Sequence, residues 1–403
     1  MNTLLDRILE DGLCQGCGAC VAALGRDRLE MNMRPSGYLR PQRAGPAAAN
    51  EDDLIGKVCS GLSLEQASDA RNYHDVWGPL VSVQTGHAAD PEVRFRGSSG
   101  GVISALALYL VESKHVDFVI QTRADPANPL GNVTDISPDR AGVLEAAGSR
   151  YAPSTPLANL EQHLATGRKL AFVGRPCDVA ALRALAKIDP RIGRQVPVMI
   201  SFFCAGVPSR RGAVEVLKAL GVEEADLQAF AYRGRGWPGL TRAVRKDGSE
   251  ASMDYNASWG TILNRHLQFR CKICPDGTGE FADVVCADAW FGKDGYPDFA
   301  EAEGRSLVLA RTARGRALLD AAASTGKVVL QDLDVSSIKG MQPFQYDRKH
   351  AVLARLGALW LKGRLTPRFR GLSLLALTLR RSPLWLLRNL LGTSRRIPRR
   401  GAL

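Results

Sequence analysis

The sequence has no uninterrupted apolar stretch of the roughly 18 residues a membrane-spanning helix requires, so no spanning helix is expected. Its first residues, through Gly12, carry Asp6, Glu10 and Asp11 and lead into no apolar core of a secretory signal. Acidic residues are missing from the last part of the chain. From Leu361 to Leu403 there are eleven lysines and arginines and no aspartate or glutamate. That tail accounts for almost all of the net charge of +12 and leaves residues 1–360 close to neutral. A globally basic surface that would steer a nucleic acid is therefore excluded as the reading of the charge. Histidine is scarce, with six in 403 residues, and His74, His87, His115, His163, His266 and His350 share no motif. No proton donor and no catalytic residue is nominated. There is no internal repeat and no compositional bias towards disorder, and an apolar fraction of 45% supplies an ordinary globular core.

What is present is cysteine, nine of them. In the reducing cytoplasmic setting that the missing signal points to, cysteines serve as metal ligands or catalysts more often than as disulfides. Cys14, Cys17 and Cys20 form a C-x₂-C-x₂-C run with Gly16 and Gly18 between them. The spacing lets three thiolates converge from one tight turn, and glycine tolerates the positive φ such a turn uses. The next cysteine, Cys59, is taken as the fourth ligand of an iron–sulfur cluster; Ser60 follows it where ferredoxins place proline. Zinc knots favour paired C-x₂-C units, so a zinc site ranks behind the cluster.

Cys177, Cys204, Cys271 and Cys274 are more scattered. Cys177 and Cys204 each follow an expected strand, which would bring them to one sheet edge. Spacing alone leaves a second cluster, a zinc pair and plain core cysteines open. Cys286, inside an apolar strand, reads as a core residue.

Strand and helix alternate between them. Strands are expected at 80–85, 116–121, 170–173, 196–203, 281–287, 306–310 and 327–331, and helices at 102–111, 180–186, 212–219 and 314–322. The fold class is α/β, a mixed-sheet core with an N-terminal ferredoxin-like cluster segment and a C-terminal helical extension. Four regions follow: 1–75 for the first cluster, 76–190 α/β, 191–345 α/β, and a basic amphipathic tail over 346–403. Pro35, Gly37, Pro41, Gly45 and Pro46 mark loops. Arg96-Gly97-Ser98-Ser99-Gly100-Gly101 opens into the 102–111 helix and reads either as an anion cradle or as an ordinary helix cap. Tyr232 to Gly239 reads as a strand end and turn in preference to an anionic substrate pocket.

Taken in order, Cys14 to Cys20, Cys59, Arg96 to Tyr109, Gly148 to Ser154, Phe172 to Leu185, Phe203 to Ser209, Tyr232 to Gly239 and Cys271 to Trp290 resemble the beta-subunit family of coenzyme F420-reducing hydrogenases and dehydrogenases. The resemblance implies an oxidoreductase with two 4Fe–4S clusters and FAD. It implies one cluster on Cys14, Cys17, Cys20 and Cys59, and a second on Cys177, Cys204, Cys271 and Cys274. It sets the flavin near Arg96, Gly97, Ser98, Ser99, Gly100 and Gly101 and near Gly174, Arg175 and Pro176. The expected partners are ferredoxin or a similar carrier and a small-molecule acceptor, and relatives lie among polysaccharide-biosynthesis proteins. A non-catalytic electron-transfer subunit of a larger complex is the alternative. The tail departs from the family pattern; a basic amphipathic helix on the inner face of a membrane is weighed there against a hairpin packed on the body.

Overall fold

Eight strands build the central sheet of the computed structural model, which describes residues 3–47, 49–67, 72–293 and 296–399. In chain order they are β1 (Ser82–Ala88), β2 (Phe118–Asp125), β3 (Asn128–Ser137), β4 (Leu170–Val173), β5 (Val198–Phe202), β6 (Val284–Asp288), β7 (Ser306–Ala310) and β8 (Val328–Asp332). Across the sheet the order is β8-β1-β7-β6-β5-β4-β2-β3. The middle, β6-β5-β4-β2, is parallel, and antiparallel strands flank it on both sides. Strands from both expected α/β regions thus share one mixed sheet.

Alternation along these strands fills two cores. Phe118, Ile120, Leu170, Phe172, Met199 and Val285 point to one face, against Val179, Leu182 and Leu185 of the Pro176–Leu185 helix. Val119, Ala171, Val173, Val198, Ile200 and Val284 point to the other, under the Val102–Glu112 and Ala313–Ser324 helices. Burial on both faces is why Leu170–Val173 and Ser306–Ala310 carry unbroken apolar runs that are legible end to end.

A third core joins the two ends of the chain. Leu5, Ile8, Leu13 and Ile55 pack with Val352, Leu356, Leu359 and Leu374. Arg368–Arg370 pairs in parallel with Ser63–Glu65, which binds the tail to the cysteine segment. Two features differ from expectation. Leu29–Met33 and Leu39–Arg43 form an antiparallel hairpin with Pro41 inside its second strand. A proline is tolerated in a two-stranded ribbon because each strand is an edge. A three-stranded antiparallel sheet, Leu227–Ala231, Thr241–Arg245 and Glu250–Met253, stands apart from the main one. The last helices are Val352–Leu361, Leu374–Leu379 and Pro383–Ser394; residues 400–403 of the expected tail lie outside the described residues.

Candidate functional site

The Cys14–Cys20 turn is shaped by its glycines. Gly16 (φ +76°) and Gly18 (φ +84°) take left-handed backbone, and a Cβ on Gly18 would lie 2.6 Å from the Ala158 nitrogen. The Gly16 N–H donates to the Cys14 sulfur at 3.4 Å, and the Leu157 N–H holds the Cys17 carbonyl at 2.9 Å. Cys59 ends the Glu51–Val58 helix and joins the three others around a hollow of about 30 Å³. Burial pushes the thiols of Cys17 and Cys20 up, and that of Cys59 up to about 11, with further upward pressure from neighbouring cysteines.

Cys177 and Cys204 follow β4 and β5. Those strands are parallel neighbours, so their C-terminal ends lie side by side. The short Phe269–Lys272 helix carries Cys271 to the same place: a Cβ on Gly206 would lie 3.1 Å from the Cys271 Cβ. The Cys204 N–H donates to the Gly277 carbonyl at 2.8 Å, just past Cys274. Burial raises Cys177, Cys204 (up to about 12) and Cys274, and Cys271 acts on both Cys177 and Cys204. Cys286 is 4% exposed and packs in the second core.

Among the described residues no three His, Cys, Asp or Glu side chains close on a point tightly enough for a single metal ion. Four cysteines line one small hollow at the first set, which is the donor number and chemistry of a 4Fe–4S cluster. The residues therefore fit a 4Fe–4S group at the first set, and the donor chemistry of the second set is the same.

The two sets touch. The Ser60 hydroxyl donates to the Gln15 side-chain Oε1 (2.7 Å) and to the Cys177 carbonyl (2.9 Å), one hydrogen shared between two acceptors. Gln268 donates to the Gln15 carbonyl at 3.3 Å. Serine in the place ferredoxins give to proline is thus more than a neutral exchange, because its hydroxyl joins the sets.

Cys204 also lines a cavity of about 560 Å³ at the C-terminal ends of the parallel strands. That is the edge where open α/β sheets bind ligands, and the volume suits a large organic cofactor. Gly97, Ser98, Ser99, Gly101, Gly174 and Arg175 line it, whereas Arg96, Gly100 and Pro176 do not. Arg96 turns to the surface and pairs with Glu92 at 3.1 Å. Gly100 packs against strand backbone, where a Cβ would lie 2.5 Å from the Gly86 carbonyl. Pro176 is the buried first residue of its helix. Gly101 (φ +72°) caps the Val102–Glu112 helix without a side-chain bond, so that helix opens with free backbone N–H groups. Arg175 is clamped by Asp178 (Nε to Oδ2, 2.7 Å), yet its buried Nη1 has no partner. A buried donor left over in the wall of a cavity is what an anionic or carbonyl-bearing ligand satisfies, so this wall fits a flavin dinucleotide.

Deeper in the wall Arg233 makes a bidentate pair with Asp288 (3.0 and 2.9 Å), and Asp288 also accepts from the Trp237 indole at 2.7 Å. Asp288 raises the fully buried Arg233 against the opposing effect of burial. The Tyr232–Gly239 segment is thus a turn, as its glycines suggest, and in addition brings an arginine into the cavity wall, with its charge already met by Asp288. Tyr255 and Trp290 stand 4.7 and 5.4 Å from that guanidinium. Sequence reasoning weighs a pocket role for the Arg233 segment and sets it second, names Asp288 only within a matching stretch, and misses Tyr255, because their meaning comes from burial. No histidine lines the cavity among the described residues.

Comparison with known proteins agrees in outline. Residues 83–161 match the family model "Coenzyme F420 hydrogenase/dehydrogenase, beta subunit N-term", and residues 167–336 match the companion model for the C terminus of the same coenzyme F420 hydrogenase/dehydrogenase beta subunit. The coenzyme F420 hydrogenase subunit beta of Methanococcus voltae is 26% identical over 269 residues, covering 64% of this chain and 86% of the relative. The coenzyme F420-dependent sulfite reductase of Methanocaldococcus jannaschii is 25% identical over 346 residues, 82% of this chain and 49% of that one. The F420-dependent formate dehydrogenase subunit beta of the same organism is 27% identical over 231 residues, 55% of this chain and 57% of the relative. The chain therefore spans about half the length of these last two relatives. A chain of the F420-reducing NiFe hydrogenase complex from Methanosarcina barkeri superposes with a TM-score of 0.53 at 19% identity, over 71% of this chain and 92% of that one. At that identity the likeness is one of fold.

Proposed function

This chain belongs to the coenzyme F420 hydrogenase/dehydrogenase beta-subunit family, whose members are oxidoreductase subunits, and from that premise we propose that it is an iron–sulfur flavoprotein passing electrons between a ferredoxin-like carrier and an organic acceptor. Clusters supply electrons singly, and a flavin exchanges them for the pair that leaves with a proton as a hydride equivalent. Cys14, Cys17, Cys20 and Cys59 would hold the cluster nearer the carrier, and Cys177, Cys204, Cys271 and Cys274 the second. FAD would occupy the large cavity, with Gly97, Ser98, Ser99, Gly101 and Arg175 around its anionic parts. One observation carries the reading: Cys204 stands in the wall of that cavity while its neighbour Cys177 is bonded to the first cysteine set through Ser60. A continuous route from the first set to the cavity follows.

What this chain's residues contribute is placement. The Asp288–Arg233 pair fixes the cavity wall, and the fold brings the half-buried cysteines of each set together. Ligand-set assignment is tested by replacing Cys14 and Cys17 with alanine and assaying iron, with flavin extracted and quantified in the same preparation. The acceptor is proposed to be a small molecule, with a link to polysaccharide biosynthesis as the working context.

A second reading, an electron-transfer subunit inside a larger complex, is favoured by one observation: the similar solved chain comes from a multi-subunit hydrogenase. A cytoplasmic location is proposed under either reading. No helix among the described residues is long and apolar enough to cross a membrane. We propose instead that the tail rests on anionic lipid at its inner face. Leu384, Leu387 and Leu391 lie exposed at helical spacing, Leu375 and Leu379 are 66% and 77% exposed, and the tail itself carries only basic charge, of which Arg380 and Arg381 pair with Asp75 and Asp347 of the body.

A further inference from the structure

Arg270 stands between the two cysteine sets. It immediately precedes Cys271, and its side chain reaches back to the residues after Cys59, donating from Nε to the Gly61 carbonyl (2.9 Å) and from Nη2 to the Ser60 carbonyl (3.0 Å). The side chain is completely buried, with the guanidinium 5.0 Å from the Phe369 ring centroid. Nη1 has no partner. Both hydrogen bonds go to neutral carbonyls, and among the described residues no carboxylate pairs with it. Of the other buried cations, Arg175, Arg233 and Lys349 have Asp178, Asp288 and Glu280, and Arg311, which also bonds only to carbonyls, has the charges of Glu280 and Asp276 acting on it.

A guanidinium does not lose its proton in a protein, and a buried cation without a counter-charge is strongly unfavourable. The missing negative charge has to come from something that Arg270 faces. Its charge acts on Cys59 of one set and on Cys274 of the other. Four thiolates outweigh the positive charge of a 4Fe–4S core, so each assembled centre is a net anion, and more so once reduced. The geometry points to Arg270 as a positioning residue held in common by both centres: the fixed cation that balances their charge and raises the reduction potential of each. It rests on the proposed cluster assignment and adds to it a residue that ligates nothing. Net charge and hydrogen bonding around a cluster are the levers by which a protein sets its potential.

The test uses anaerobically purified full-length protein, with iron assayed first and both centres then titrated electrochemically under EPR. Absence of iron from the wild type would remove the cluster assignment itself, before Arg270 is addressed. With iron present, Arg270→Gln is expected to make both centres harder to reduce. At a fixed potential the reduced-to-oxidised ratio of each should fall about tenfold, equal to 59 mV for a one-electron couple. Arg270→Lys, which keeps the charge but not the fork, should hold iron and recover most of both potentials. Unchanged potentials in an iron-replete Arg270→Gln protein would overturn the proposal, as would a shift confined to one centre. If Arg270→Gln fails to hold iron, Arg270→Lys decides: near-native potentials support the shared charge, and loss of iron there too assigns Arg270 to structure alone.

Discussion

The Ser60 hydroxyl lies 2.9 Å from the backbone carbonyl of Cys177, so the residue after the last cysteine of one set is bonded directly to the first cysteine of the other. Cys59 and Cys177 are more than a hundred residues apart in sequence, and the Ser60 hydroxyl joins their neighbourhoods directly. Ser60→Ala removes that part-buried bond and the buried one to Gln15. A loss of about 1–3 kcal/mol in stability is expected, the usual cost of stranding buried acceptors. Thermal unfolding of anaerobic protein measures it; an unchanged midpoint would show that the contact carries no stability.

Asp288→Asn leaves Arg233 buried without its counter-charge while preserving size. Removing one partner of a buried pair costs about 3 kcal/mol or more. Asp288 is itself partly exposed, its side chain 19% accessible, which places the expectation at the low end of the range. Flavin content should fall along with stability, since Arg233 and Trp237 are both fixed by Asp288. Chemical denaturation and flavin extraction read the two effects separately.

His74 gives a pH dependence of defined sign. Its Nδ1 accepts from the Val76 and Trp77 N–H groups at 3.1 and 3.3 Å, and burial, aided by Lys349 and Arg380, holds its pKa below the ordinary value. As pH falls through about 6.5 the unfolded chain takes up the proton before the folded one does. Stability should therefore decline from about pH 6.5 down to the lowered folded value. His74→Asn offers an acceptor that does not titrate and should flatten that decline. An identical slope in the variant would remove His74 as its source.

The tail offers a prediction independent of redox chemistry. Triple replacement of Leu384, Leu387 and Leu391 by glutamate should lower co-sedimentation with phosphatidylglycerol vesicles at least tenfold, since burying each leucine is worth about 1.5–3 kcal/mol. Neutral phosphatidylcholine vesicles should bind weakly even to the wild type. Equal binding to both lipids, or self-association in place of vesicle binding, would contradict lipid attachment.

Legibility followed burial and local spacing. Leu170–Val173 and Ser306–Ala310 are readable to the residue because both faces of each strand are buried, whereas Asn128–Ser137 escapes because an edge strand with polar residues shows no strong period. The three-cysteine run declares its chemistry through spacing. Arg96 sits four residues after Glu92, a spacing that suits a surface ion pair, and the structure makes that pair in place of the anion-cradle contact expected of it. Arg270 and Ser60 are beyond reach: an arginine before a cysteine and a serine after one acquire meaning only when residues distant in sequence come together around them.

Iron and flavin stoichiometry of anaerobically purified protein, compared with Cys14→Ala/Cys17→Ala, tests the central claim most directly. The wild type should carry two 4Fe–4S clusters and FAD, and the variant should lose about half the iron while keeping the flavin and the spectroscopic signature of the second centre. A wild-type protein with zinc in place of iron, or a variant with undiminished iron, would contradict it.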